Sequence, residues 1–399
     1  MLRRTMLTAA AALAVNAGAA RAEETPGVTA TEIKIGNTMP YSGNASAYGV
    51  IGKADAAYFQ MINDQGGING HKINFITLDD GYTPPKTVEQ TRRLVEQEQV
   101  AIIFNGLGTA ANSAVQKYLN QRKVPQLFVS TGASKWGHPD EFHWTMGWQP
   151  DYQTEAKIYA KYILKEKPEG KIAILWQNDD FGKDYVAGIK AVLGDKYDKM
   201  VVKDVSYEVA DPTVDSQIVT LQSSGADTLV IAATPKFAAQ AVRKVYDIGW
   251  HPLEFLTNVS ISVGSVMNPA GPEKGVGIIT AGYGKDPTDP TWKDDPGMQQ
   301  WRAFMTKYLP DADQSDASNV FGYGVSMTLV QVLKQCGDDF SRENIMKQAA
   351  NLNDFELPTL LPGIKINTSP TDYYPIQDMH LQKWDGKSWV LFGDVISGS

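Results

Sequence analysis

Short apolar runs return along the whole chain, at residues 33–35, 73–78, 101–104, 126–129, 172–176, 229–233 and 276–279. Within each run the apolar residues follow one another without alternating, which is the pattern of strands buried on both faces of a parallel sheet. The stretches between them are longer and amphipathic. Ala54, Tyr58, Met61 and Ile62, for instance, fall on one face of a helix that Gly66-Gly67 ends. Strand and helix alternate over most of the chain, and a doubly wound α/β fold is predicted.

Two breaks divide this rhythm. The first is Gly147-Trp148-Gln149-Pro150, between a strand-like piece and a helix over 151–165. The second runs from Gly282 to Pro296 and carries three Asp-Pro steps, after which the chain turns helical to about Leu352. Residues 380–395 read as a hairpin turning at Asp385-Gly386-Lys387. At 399 residues the chain exceeds what one core usually covers, so two α/β lobes joined by crossing segments are expected.

The N-terminus adds an address. Met1-Leu2-Arg3-Arg4 forms a basic start, residues 6–20 an apolar core, and Ala20-Arg21-Ala22 a small-x-small cleavage site. Asn16 interrupts the apolar run, which falls short of the roughly 18 residues a membrane helix needs. Cleavage after Ala22 and release into the periplasm are therefore expected. The general secretory route is favoured, and the Arg3-Arg4 pair leaves the twin-arginine route open. No cysteine stands near the cleavage site to carry a lipid anchor.

Without Arg3, Arg4 and Arg21 the chain holds 34 basic and 45 acidic residues, a net charge of about −11. So acidic a surface excludes nucleic acid and anionic lipid as partners bound by charge. The single cysteine, Cys336, excludes an intramolecular disulfide, and its apolar flank at 328–333 reads as a buried helix.

Catalytic patterns are missing. There is no G-x-S-x-G, and His71, His138, His143, His251 and His380 are scattered without metal spacing. Asp286, Asp289, Asp294 and Asp295 lack the glycine and terminal glutamate of a calcium loop and read as a solvated turn. Gly106-Leu107-Gly108-Thr109-Ala110-Ala111 follows a strand and opens a helix, as a dinucleotide fingerprint does. The next strand, however, ends in Val129-Ser130-Thr131-Gly132, with no carboxylate for a ribose. Neither an enzyme, a cofactor nor a metal is expected. What remains is two strand-to-helix turns, 106–109 and 130–134, whose helix N-termini would together bind an anion such as a carboxylate. Alternatively, Thr109 and Ser134 only cap their own helices.

Together, Pro40-Tyr41-Ser42-Gly43-Asn44-Ala45 with Tyr48-Gly49, Ile62-Asn63, Gly66-Gly67-Ile68-Asn69-Gly70, Asp79-Asp80, Ser130-Thr131-Gly132-Ala133-Ser134, Asp180-Phe181-Gly182 and the stretch 239–250 make a set. In that order they resemble the branched-chain amino acid type (type I) of periplasmic solute-binding proteins of ATP-driven (ABC) importers. The resemblance implies two Rossmann-like lobes joined by three crossings, placed near Gln149, Tyr283 and Pro358. Lobe 1 would then be 28–148 with 283–357, and lobe 2 149–282 with 358–399. It also implies a small ligand in the interlobe cleft, the permease and ATPase subunits of an importer as partners, and a monomer.

Carried over by position, Tyr48 is an aromatic wall, Gly108 and Thr109 are one carboxylate contact, and Gly132, Ala133 and Ser134 are the other. Phe181 takes the place of a tyrosine that stacks over the ligand. Amino acid binders of the family pair the ligand ammonium with a glutamate. Counting back from Arg243, that position is Phe237, and an unpaired buried ammonium would cost several kcal/mol. With Tyr48, Phe181, Phe237 and Tyr283 around an anion clamp, the expected ligand is a hydrophobic or aromatic carboxylate of the benzoate or cinnamate type. Branched-chain amino acid or amide binding, and a protein that presents its ligand to a sensor, remain as alternatives.

Overall fold

A computed structural model describes residues 25–398. The expected signal peptide, residues 1–22, lies outside the described residues. Five parallel strands form one sheet: β1 (Glu32–Met39), β2 (Lys72–Asp79), β3 (Ile102–Phe104), β4 (Gln126–Val129) and β5 (Thr145–Gly147), in the order β2-β1-β3-β4-β5. The second sheet holds β6 (Ile172–Gln177), β7 (Val201–Tyr207), β8 (Thr228–Ala232), β9 (Leu253–Leu256), β10 (Ile279–Gly282), β11 (Met379–Trp384) and β12 (Trp389–Ile396). Its order is β12-β11-β10-β9-β8-β6-β7. Strands β6 to β10 are parallel, and the hairpin β11–β12 adds on antiparallel. The parallel parts of both sheets share one order, second-first-third-fourth-fifth, which is the doubly wound α/β pattern in each lobe.

Burial explains why the strands read as unbroken apolar runs. In β8, Leu229 and Ile231 belong to one core while Val230 and Ala232 belong to the core on the opposite face. Both faces of the sheet are covered, so no position is left for a polar residue. Edge strand β7 differs: Val202, Val205 and Ser206 are half-buried while Lys203 and Asp204 are exposed, and it shows no continuous run. The run at 276–279 is only partly a strand. Val276 is 59% exposed and Gly277 takes φ +100°, so pairing begins at Ile279.

Helix Tyr152–Glu166 opens after the first break, its first turn capped by Asp151, whose carboxylate accepts the Gln153 N–H at 2.9 Å. After the second break come helices Pro296–Tyr308, Ala317–Gln335 and Arg342–Ala349, which pack on the first sheet. Cys336 is buried at the end of the middle one, and burial pushes its thiol up to about 12.

The chain passes from the first sheet to the second between β5 and β6, after Trp148, and leaves the second sheet after β10 through Tyr283, which packs against both cores. The last crossing is not near Pro358. Leu360, Ile364, Ile366, Tyr373 and Ile376 all pack in the first core, and Met379 is the next residue in a second-lobe core. Residues 358–376 thus stay with lobe 1, and the crossing falls at 377–378. Near 358 the backbone only runs beside the earlier crossing: Lys285 N–H donates to Thr359 O and Leu361 N–H to Tyr283 O, both at 2.9 Å.

Candidate functional site

In open parallel sheets, ligands bind beyond the carboxyl ends of the strands. Here the loops at those ends come from both sheets and enclose one cavity of about 130 Å³. Tyr48 follows β1, Tyr82 β2, Gly108 and Thr109 β3, and Ser130 β4. From the second lobe, Phe181 follows β6, Thr234 β8, Asn258 β9 and Tyr283 β10.

Helix Thr109–Gln121 starts at the cavity wall, so its unpaired first amides and partial positive charge lie at the cavity. Gly108 makes the sharp entry possible. Its φ is +98°, and an added Cβ would lie 2.5 Å from the Tyr82 ring. The Asn112 side chain ties the loop down by donating to Gly106 O at 2.7 Å and Gly108 O at 2.9 Å. The Thr109 hydroxyl lies 2.5 Å from that of Thr131.

The second expected N-terminus does not form there. Ser134 opens only a four-residue 3-10 turn, and its N–H and hydroxyl bond Asp184 of the second lobe at 2.8 and 3.0 Å. Gly132 and Ala133 also lie off the wall; Gly132 O accepts the Tyr152 N–H at 2.7 Å, and it is Tyr152 that lines the cavity. From this strand end Ser130 lines the cavity.

Phe237 is likewise not in the wall. Helix Pro235–Asp247 places it one turn inside, fully buried, with its ring 4.5 Å from that of Tyr207. The residue at the end of β8 that faces the cavity is Thr234, three positions earlier. Counting back along the helix from Arg243 stops nearly one turn short of the strand end. The chemical consequence is unchanged, because threonine offers an ammonium no charge either.

Eight aromatic residues line the cavity: Tyr48, Tyr82, Trp148, Tyr152, Phe181, Tyr283, Phe321 and Trp389. Trp148 packs edge-on to Tyr283 at 6.0 Å and to Phe321 at 5.0 Å. Burial pushes the Tyr48 and Tyr283 phenols well above their ordinary value, so both are neutral donors. Among the described residues of the wall, Asp286 alone carries a carboxylate and Lys285 alone an ammonium. Both are engaged. Asp286 accepts from the Thr288 N–H and hydroxyl and from the Trp389 N–H, each at 2.9 Å. Lys285 donates to Asp295 at 2.9 Å and to Pro358 O at 2.8 Å.

Sequence reasoning missed Tyr82, Tyr152, Thr234 and Asn258. Tyr82 and Tyr152 each follow a turn signal, Asp79-Asp80-Gly81 and Gly147 to Pro150, and each is an aromatic where a loop favours polar residues. Asn258 follows a strand of only four residues, too short to announce its own end.

The lobes touch across the cavity: the Tyr48 hydroxyl donates to Val259 O at 3.0 Å. A profile of the periplasmic binding protein family matches residues 32–388. The chain belongs to the periplasmic binding protein family. It is a solute-binding protein of the type I fold and not an enzyme; its family works outside the cytoplasm with small-molecule ligands. Leu/Ile/Val-binding protein homolog 1 of Brucella abortus is 22% identical over 320 residues, 78% of this chain and 81% of that protein. A branched chain amino acid ABC transporter protein from Thermus thermophilus, solved with bound valine, superposes with a TM-score of 0.83 at 14% identity, over 93% of this chain and 97% of the other. A fatty acid ABC transporter substrate-binding protein from Thermomonospora curvata gives 0.77 at 21% identity, over 94% and 95%. Among the described residues, no helix is long and apolar enough to cross a membrane.

Proposed function

We propose that this periplasmic binding protein is the solute-binding component of an ABC importer and that it captures a hydrophobic or aromatic carboxylate in the interlobe cavity. One observation carries the ligand class. The wall is aromatic, and its only carboxylate among the described residues, Asp286, already accepts from Thr288 and Trp389. An ammonium entering this space meets no free negative charge, and burying it unpaired costs several kcal/mol. A carboxylate meets the opposite situation at Thr109, where a helix begins. An aromatic body then gains about 4 to 6 kcal/mol by leaving water, at about 25 cal/mol per Å².

Branched-chain amino acid or amide binding is the second reading, supported by the names of relatives and by the Glu155 carboxylate one side chain behind the wall. A thermal-shift panel of the mature protein with benzoates, cinnamates, aliphatic acids and leucine, isoleucine and valine separates the two. A ligand at a hundred times its Kd stabilises by about 2.7 kcal/mol. Aromatic acids should raise Tm and leucine should not; the reverse order overturns the acid reading.

A further inference from the structure

Glu155 stands in the first turn of helix Tyr152–Glu166, within the apolar stripe of Tyr152, Tyr159 and Ile163, and none of its surface is exposed. Both its oxygens are taken. Oε1 accepts from the Tyr159 hydroxyl and from the Asn258 backbone N–H at 2.8 Å. Oε2 accepts from the Tyr185 hydroxyl at 2.6 Å and from the Asn258 side-chain amide. Backbone and side chain of Asn258 are thus fixed by one buried group.

An asparagine amide has two ends of similar size, and its partners decide which way it faces. The carboxylate oxygen decides here, because only the NH2 end donates to it. The planar amide turns the opposite end, Oδ1, away from Glu155. Asn258 borders the cavity and is only 8% exposed, and among the described residues no protein donor reaches Oδ1. Oδ1 is open to the cavity and not sealed in protein, and a ligand that displaces water from it must offer a donor of its own or leave it unpaired.

We infer that Asn258 is a specificity-determining residue: its Oδ1, positioned by Glu155, accepts a hydrogen bond from a neutral donor on the bound acid, a hydroxyl or an amide N–H. This rests on the acid-binding reading above and adds a requirement on the second-lobe side of the cavity. The donor is neutral because the Glu155 oxygens face four protein donors and not the cavity. Glu155 itself touches no ligand and acts as a positioning residue.

The test is calorimetry of the mature protein with cinnamate, 3- and 4-hydroxycinnamate, 4-acetamidocinnamate and 4-(aminomethyl)cinnamate. At least one hydroxy or acetamido acid should bind roughly tenfold or more tightly than cinnamate; which of the two does so identifies the donor. In Asn258→Leu that ratio should fall towards one. In Glu155→Gln it should fall too, because a glutamine amide lets the Asn258 amide turn over. A merely structural role for Glu155 would weaken all acids alike and leave the ratio in place. If Glu155→Gln does not fold, Asn258→Leu still decides. An unchanged ratio in Asn258→Leu overturns the inference while the acid-binding reading stands. Preference for the aminomethyl acid overturns the neutral donor, and failure of every acid to bind removes both readings together.

Discussion

Lys236 of the second lobe donates to Asn44 Oδ1 of the first across 3.0 Å, and the Asn44 amide in turn donates to Val209 O at 2.6 Å. One asparagine in the loop between β1 and the Tyr48 turn thereby joins two separate segments of the opposite lobe. In this structure they tie the two lobes to each other.

Asn44→Ala should accordingly speed ligand release by roughly 5- to 150-fold, since the two lost bonds are worth about 0.5 to 1.5 kcal/mol each. Association should change less, as is usual for contacts formed after encounter. Stopped-flow displacement measures both rates. An unchanged release rate would show that these bonds do not hold the liganded form together.

Gly108→Ala should lower both stability and affinity. Its φ of +98° costs an alanine roughly 1 to 3 kcal/mol, and the new methyl would press on the Tyr82 ring. Relief of the clash moves Tyr82 out of the cavity wall or tilts the start of helix Thr109–Gln121. Thermal melts with and without ligand separate the two losses, and a variant that keeps wild-type Tm and Kd contradicts this account.

Phe237 and Thr234 should respond oppositely. Phe237→Ala opens the core beneath Tyr207 and should cost about 3 to 5 kcal/mol of stability with little change in ligand preference. Thr234→Glu places a carboxylate at the cavity wall and should weaken acid binding while admitting an amino acid. Chemical denaturation and calorimetry read these effects. Altered ligand preference in folded Phe237→Ala would restore it to the site.

Asp55 sets a pH dependence. It is fully buried between helices Gly49–Asp64 and Ala317–Gln335, accepting from Asn105 at 2.7 Å and Ser326 at 2.9 Å, and burial raises it to about 8 from 3.8. The folded state therefore holds a proton that the unfolded state releases. The stability this gives is full below about pH 4 and is lost as pH rises towards 8. Asp55→Asn does not titrate, so its Tm relative to wild type should rise between pH 5 and pH 8. A constant difference across that range would mean that Asp55 titrates alike in both states.

The doubly wound architecture is legible in the chain because each central strand is covered on both faces, so Leu229 to Ala233 and Ile172 to Trp176 cannot afford a polar position. Strand β7 is invisible to that signal because it is an edge strand whose adjacent Lys203 and Asp204, pointing to opposite faces, both meet water. The turn at Gly108 is legible because a glycine must adopt a positive φ just before a helix. The second is not: Ser134 has the composition of a helix start but spends its donors on Asp184, a partner 50 residues away that no local pattern reveals. Phe237 lies off the wall for a related reason, since sequence spacing does not show where helix Pro235–Asp247 leaves the strand end. Glu155 does leave a trace, a lone carboxylate in an apolar stripe, though its four donors come from three segments of chain.

Cys336 gives this protein a built-in clock. It is the chain's one thiol, lies in the first-lobe core, and is held in its unreactive protonated form by burial. A thiol reagent in solution therefore waits for that lobe to open, and its rate of labelling counts excursions of the first lobe alone. The second lobe, carrying no sulfhydryl, remains silent, so the mobility of one half of the molecule can be timed without attaching anything to it.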